Sequence, residues 1–176
     1  MLIYSIGHST HPIERFAELL RMHRIALVAD VRSFPSSRRY PQFNSVELER
    51  SLGEREIRYR WLKQLGGRRR GVPDSPHVAW RHLAFRSYAD YADTGEFQAG
   101  LDALLEEAAA AVTAFMCSEG LWWRCHRRLI SDRLVLNGHR VRHIMPDGSL
   151  VDHELTSFAR VVDRRLIYDG ANEKES

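Results

Sequence analysis

Side chains able to do chemistry gather in three short stretches of the chain: Gly7-His8-Ser9-Thr10, Asp30-Val31-Arg32-Ser33 and Cys117-Ser118-Glu119-Gly120. His8 is a natural acid or base, because an ordinary imidazole titrates near neutrality. Asp30 and Arg32, two residues apart on a strand, share a side; either they pair, or Arg32 grips a phosphate while Asp30 orients His8 or a water. Gly7 permits a tight turn and close ligand approach, and Ser9 or Thr10 suits the cap of a following helix. Cys117 stands where a nucleophilic thiolate would stand, at a strand end facing a helix N-terminus. Phosphatase-type chemistry would need five residues between Cys117 and the next arginine, and six precede Arg124. Glu119 supplies a second carboxylate beside Asp30.

The densest motif is Trp122-Trp123-Arg124-Cys125-His126-Arg127-Arg128. At a helix start, free N–H groups favour an anion, so His126 and Arg127 read as ligand-binding, with Trp123 available to stack on a base. Cys125 reads as a packing residue. Seven residues between the cysteines and an adjacent Cys-His pair are poor zinc spacing, so neither metal nor cofactor is expected.

What must position these residues is a run of alternating strands and helices. Residues 2–6 form an apolar run ended by Gly7; Ile13, Phe16, Leu19, Leu20 and His23 mark one face of a helix opened by Pro12; 25–31 is a second strand. A loop over 33–43, a helix over 45–54 capped by Ser45 and an alternating strand over 57–61 follow. Residues 63–85, rich in Gly, Pro and Arg, predict a long irregular loop. One or two helices over 87–111, a strand over 111–117, a helix over 125–137 stopped by Gly138, and a strand over 140–144 complete the pattern. A turn at 146–148 leads to a short segment near Leu155, then to a last helix from Thr156. The expected fold is one α/β domain over 1–170: a three-layer, Rossmann-like, mostly parallel five-stranded sheet with helices on both faces, and a disordered tail over 171–176. In such sheets ligands collect at the carboxyl ends of the strands, where all three polar exits fall.

With 176 residues and 44% hydrophobic content, the chain can bury a single core and does not read as disordered. Its longest apolar stretch is too short to cross a bilayer, and residues 1–4 lack a signal-peptide pattern, so a cytoplasmic setting is expected, with no membrane partner. The net charge of +3 is unevenly spread: residues 32–86 hold 13 basic and 5 acidic residues, whereas 87–112 hold 6 acidic and no basic ones. Such a basic field attracts phosphate-bearing partners.

Ser-Ile-Gly-His-Ser at 5–9, Asp-Val-Arg-Ser-Phe-Pro at 30–35, Pro-Gln-Phe-Asn at 41–44, Leu-Gly-Gly-Arg at 65–68, and Cys-Ser-Glu with Cys-His-Arg at 117–119 and 125–127 resemble the domain of unknown function 488 family. The family's usual Cys-Ala-Glu is Cys-Ser-Glu here. The resemblance spans about residues 2–145 and implies an α/β fold with a polar site built from these motifs; it implies no reaction. From the residues, the leading expectation is a hydrolase acting on a nucleotide or nucleic acid, with Arg32 and Arg127 on phosphate and His8, Asp30 and Glu119 moving protons. The alternatives are a non-catalytic nucleotide- or nucleic-acid-binding module, and a thiol or metal protein centred on Cys117 and Cys125.

Overall fold

The computed structural model describes residues 1–170; the tail expected over 171–176 lies outside the described residues. Strands β1 (Leu2–Gly7), β2 (Leu27–Asp30), β3 (Arg58–Trp61), β4 (Thr113–Cys117) and β5 (Arg140–Ile144) are parallel, and β6 (Leu150–Asp152) adds antiparallel to β5. The order is β3-β2-β4-β1-β5-β6. From β1 the chain steps toward one edge through β2 to β3, then returns to β4 and passes β1 to reach β5. This reversal puts the switch point between β4 and β1.

Alternation along the strands builds two cores. Ile6, Val28, Ala114 and Met116 meet α1 (Ile13–Met22) and α2 (Ser45–Gly53) on one face. Ile3, Leu27, Ala29, Phe115 and Cys117 meet α3 (Leu83–Tyr91), α4 (Gly95–Ala110) and α5 (Arg127–Leu136) on the other. Right-handed crossovers running in opposite directions place helices on opposite faces, so the three layers follow from the connectivity. The β3 edge is guarded by charge, since Arg58 and Arg60 both pair with Glu107 of α4.

Four expectations need correction. The sheet has six strands, because the segment after the Gly148 turn (φ +92°) pairs with β5. No helix begins at Thr156; β7 (Ala159–Val162) and β8 (Arg165–Tyr168) form an antiparallel hairpin instead. Alternate residues Ala159, Leu166 and Tyr168 are buried against the α5 side of the core, and Asp163 and Arg164 turn the chain with positive φ. Capping by Ser9 or Thr10 does not occur, since α1 starts at Ile13 behind Pro12 with no side-chain cap. Ser45 likewise opens α2 from inside it, behind Asn44, whose Oδ1 accepts from Ser37 N–H.

Candidate functional site

The carboxyl ends of β1, β2 and β4 open onto a two-lobed cleft. One lobe, about 600 Å³, is lined by His8, Ser9, Arg39 and Tyr40 among others. The other, about 640 Å³, reaches Cys117, Trp123, Arg124, Cys125 and His126. Arg32, Phe34, Ser36, Arg68, Ser118 and Glu119 line both lobes and make them one crevice. Strand parity explains the division: Asp30 and Arg32 project toward the α2 side, Cys117 toward the α5 side.

On the α2 side Asp30 is the hub. It is fully buried and accepts from the Arg32 N–H (3.1 Å), Arg32 Nε (2.9 Å), Arg32 Nη2 (2.6 Å) and the Tyr59 hydroxyl (2.7 Å). Arg32 Nη2 also donates to Phe43 O (2.8 Å), which leaves Nη1 as the less committed end of the fork. Burial would lower the Arg32 pKa, but the hydrogen bonds and charge of Asp30 reverse this and raise it. Asp30 therefore fixes Arg32 and does not reach His8 or the cleft. His8 donates from Nδ1 to Ser9 O (2.9 Å) and stacks on Phe43 at 4.0 Å between ring centroids. Burial, above all, pulls its pKa down to about 4. The ring is consequently neutral near pH 7, with bare Nε2 3.4 Å from Arg32 Nη1; it can accept a proton or hold the guanidinium in place.

Gly7 serves the backbone. A Cβ there would lie 1.9 Å from Glu119 O, so glycine is demanded by the approach of the β4 exit, and Gly7 lines neither lobe. Ser9, at φ 48°, holds the same exit through its N–H to Ser118 O (2.9 Å), with its side chain against the cleft. Glu119 is exposed, its Oε1 accepting from Leu121 N–H (3.1 Å).

Arg127 is the clearest departure from the phosphate-clamp expectation. It is 1% exposed, donates to Ser5 Oγ (3.0 Å) and to the carbonyls of Glu119 and Gly120, and lines neither lobe. A helix-start arginine turns inward here because the β4–α5 connection folds over it and presents carbonyls to its fork. The cationic lining comes instead from Arg39 and Arg68, in basic loops whose composition marks them for a polyanion, and from Arg124, in the short turn before α5.

On the α5 side Cys117 Sγ, Cys125 Sγ and His126 Nδ1 all lie within 4.8 Å of one another. His126 donates from Nε2 to Val31 O (2.8 Å), so Nδ1 carries the lone pair and faces the sulfurs, 3.5 Å from Cys125 and 3.9 Å from Cys117. Both cysteines are free and buried. The hydrogen bond to Cys125 and burial push the Cys117 thiol up. Burial also acts upward on Cys125, but the Cys117 thiol together with the charge and N–H of Arg127 brings it below its ordinary value. Trp123 stands exposed at the rim.

Within the Leu-Gly-Gly-Arg motif, sequence reasoning assigned Gly67 no role of its own. A Cβ at that position would come within 2.6 Å of His126 Nδ1, and the Leu-Gly-Gly-Arg loop is tied to the β2 exit by Arg68 N–H to Ser33 Oγ (2.9 Å). The paired glycines were the available signal. Phe43 and Tyr59 were missed as partners of His8 and Asp30 because they are far from both in sequence.

Fold and site together define a three-layer α/β domain with a cationic, thiol-floored crevice at its switch point. Residues 12–134 match the family described as domain of unknown function DUF488, and the chain belongs to that family. The matched segment begins after His8, so the β1 exit lies outside it. No curated protein and no solved structure matches the chain. Among the described residues no helix is long and apolar enough to cross a membrane.

Proposed function

We propose that the crevice binds a phosphate-bearing ligand carrying a planar base, a nucleotide or the end of a nucleic acid, and hydrolyses a phosphoanhydride bond in it. The observation that carries this reading is the charge of the lining: the guanidinium groups of Arg39, Arg68 and Arg124, beside the Asp30-paired fork of Arg32, stand against the single lining carboxylate of Glu119. Guanidinium forks match phosphate oxygens, and the exposed rings of Phe34 and Trp123 offer flat surfaces to a base. Glu119 takes the proton of an attacking water as its oxygen bonds to phosphorus, while the bond to the leaving oxygen breaks and Arg32 offsets the developing charge. The free thiols suit a reducing, cytoplasmic setting.

A binding module without turnover is the second reading. The observation favouring it is the burial of Asp30 beneath Arg32, which removes one of the expected proton-handling groups from the cleft.

Titration of the full chain with ATP, read by tryptophan fluorescence, tests the proposal. Saturable binding should weaken steeply with salt, and the double substitution Arg68→Ala with Arg124→Ala should weaken it at least ~10-fold. Glu119→Gln should leave binding in place and abolish phosphate release. Absence of saturable binding overturns the proposal, and binding with no phosphate release by the unaltered protein leaves only the second reading.

A further inference from the structure

We propose that Cys117, Cys125 and His126 form a three-ligand site for a zinc-class divalent cation, with its fourth coordination position open to the cleft. Sequence spacing argued against a metal, since seven residues part the cysteines and Cys125 adjoins His126. The fold removes both objections. Cys117 ends β4, Cys125 lies where the chain turns back toward α5, and the approach of these segments, not their separation in sequence, brings the donors together.

Geometry carries the inference. Tetrahedral zinc, with bonds of about 2.3 Å to sulfur and 2.0–2.1 Å to nitrogen, sets its sulfur and nitrogen ligands about 3.6 Å apart. The two sulfur-to-Nδ1 separations here, 3.5 and 3.9 Å, bracket that value. The imidazole is also set for coordination. Its Nε2–H is anchored on the Val31 carbonyl, which fixes the tautomer and aims the Nδ1 lone pair at the thiols. Metal-bound histidines characteristically hold their second nitrogen in this way. Gly67 keeps a side chain away from Nδ1, where a Cβ would otherwise intrude.

The donor set selects the metal. Two thiolates and one imidazole suit zinc and exclude the hard cations magnesium and calcium, which require oxygen ligands. A dication would cancel the two buried negative charges that deprotonation of both thiols creates. Three protein ligands with a fourth position open is the arrangement of catalytic, not structural, zinc. Here the open side is the lobe lined by Arg32, Ser118 and Glu119. A water at that position would be acidified toward neutrality, giving the crevice a stronger nucleophile than Glu119 alone could prepare. This last role rests on the hydrolytic reading above; the metal site itself does not.

The test is titration of the full, reduced, metal-free chain with cobalt(II), followed by zinc(II). One equivalent of cobalt should give the intense ligand-field bands of four-coordinate cobalt with thiolate-to-cobalt charge transfer, and one equivalent of zinc should erase them. Cys125→Ser and His126→Ala should each weaken binding at least ~10-fold. A readout that needs no variant is alkylation, in which zinc should protect both thiols of the unaltered protein from maleimide. Featureless or octahedral cobalt spectra, or alkylation at the same rate with and without zinc, would overturn the site. The Arg68→Ala, Arg124→Ala double variant separates the two proposals. Its cobalt spectrum should be intact while its ATP binding falls, so a failure of either measurement is assigned to its own site.

Discussion

Asp30 and Arg32 adopt the first of the two arrangements their spacing allows, the pair, and this takes Asp30 away from the proton-handling role. Both are where a polar strand exit should be, and the two-residue spacing does place them on one side, but their distance and burial make Asp30 a buried counter-ion, with three bonds to Arg32 and one from Tyr59. Removing one partner of a buried pair leaves an uncompensated charge and costs about 3–5 kcal/mol. Asp30→Asn should therefore lower unfolding free energy by about that amount in urea titration. If Asp30 instead handled protons in the cleft, the variant would lose turnover while keeping its stability, which would contradict the arrangement described. Tyr59→Phe, which removes one of four donors to the carboxylate, should cost only ~1 kcal/mol. Arg127 also leaves its expected role: its position at a helix start was legible, its inward turn was not, because the carbonyls it meets at Glu119 and Gly120 are placed by the fold and not by the motif around it.

At the scale of elements, the parallel sheet and its helices were readable because their signals are local. Largely apolar stretches of five to seven residues marked β1, β2 and β4, and apolar residues at helical spacing marked α1. Gly138, at φ +80°, stops the chain after α5 where expected. The C-terminal hairpin was not readable for an equally local reason. Its turn is made by Asp163 and Arg164 at φ 48° and 64°, without the glycine that normally announces a two-residue hairpin. A left-handed arginine carries a strain of about 1 kcal/mol that glycine lacks. Arg164→Gly should accordingly raise the unfolding midpoint by a few degrees in a calorimetric scan, offset only in part by the greater freedom of the unfolded chain. A fall in the midpoint would mean that the Arg164 side chain stabilises the fold more than its backbone strains it. The long loop after β3 was legible as irregular but not in its purpose, which is to bring Gly67 and Arg68 to the cleft.

Across the whole molecule, a buried polar chain ties the sheet to the C-terminal hairpin. Arg127 Nη1 donates to Ser5 Oγ (3.0 Å), Ser5 to His143 Nδ1 (3.0 Å), His143 Nε2 to His153 Nδ1 (2.9 Å), and His153 Nε2 to Asp132 Oδ1 (2.9 Å). Asp132 also accepts from the hydroxyls of Thr156 (2.8 Å) and Tyr168 (2.9 Å), which fastens β8 to α5. Every donor points toward the carboxylate, an order that holds only while His143 is neutral. Burial first, then the charges of His153 and Arg127, drive its pKa down to about 2, and Trp122 closes one ring face at 4.2 Å. The folded state thus resists a proton that the unfolded chain binds below about pH 6.5. Stability contributed by neutral His143 is complete above that pH and declines as pH falls, by up to ~1.4 kcal/mol per unit. His143→Asn removes this titration. The stability gap between the unaltered protein and the variant, measured by urea unfolding, should be widest at pH 7 and narrow by more than ~1 kcal/mol at pH 5. Parallel stability curves across that interval would show that His143 can charge inside the fold, and that the one-way order of the chain does not hold.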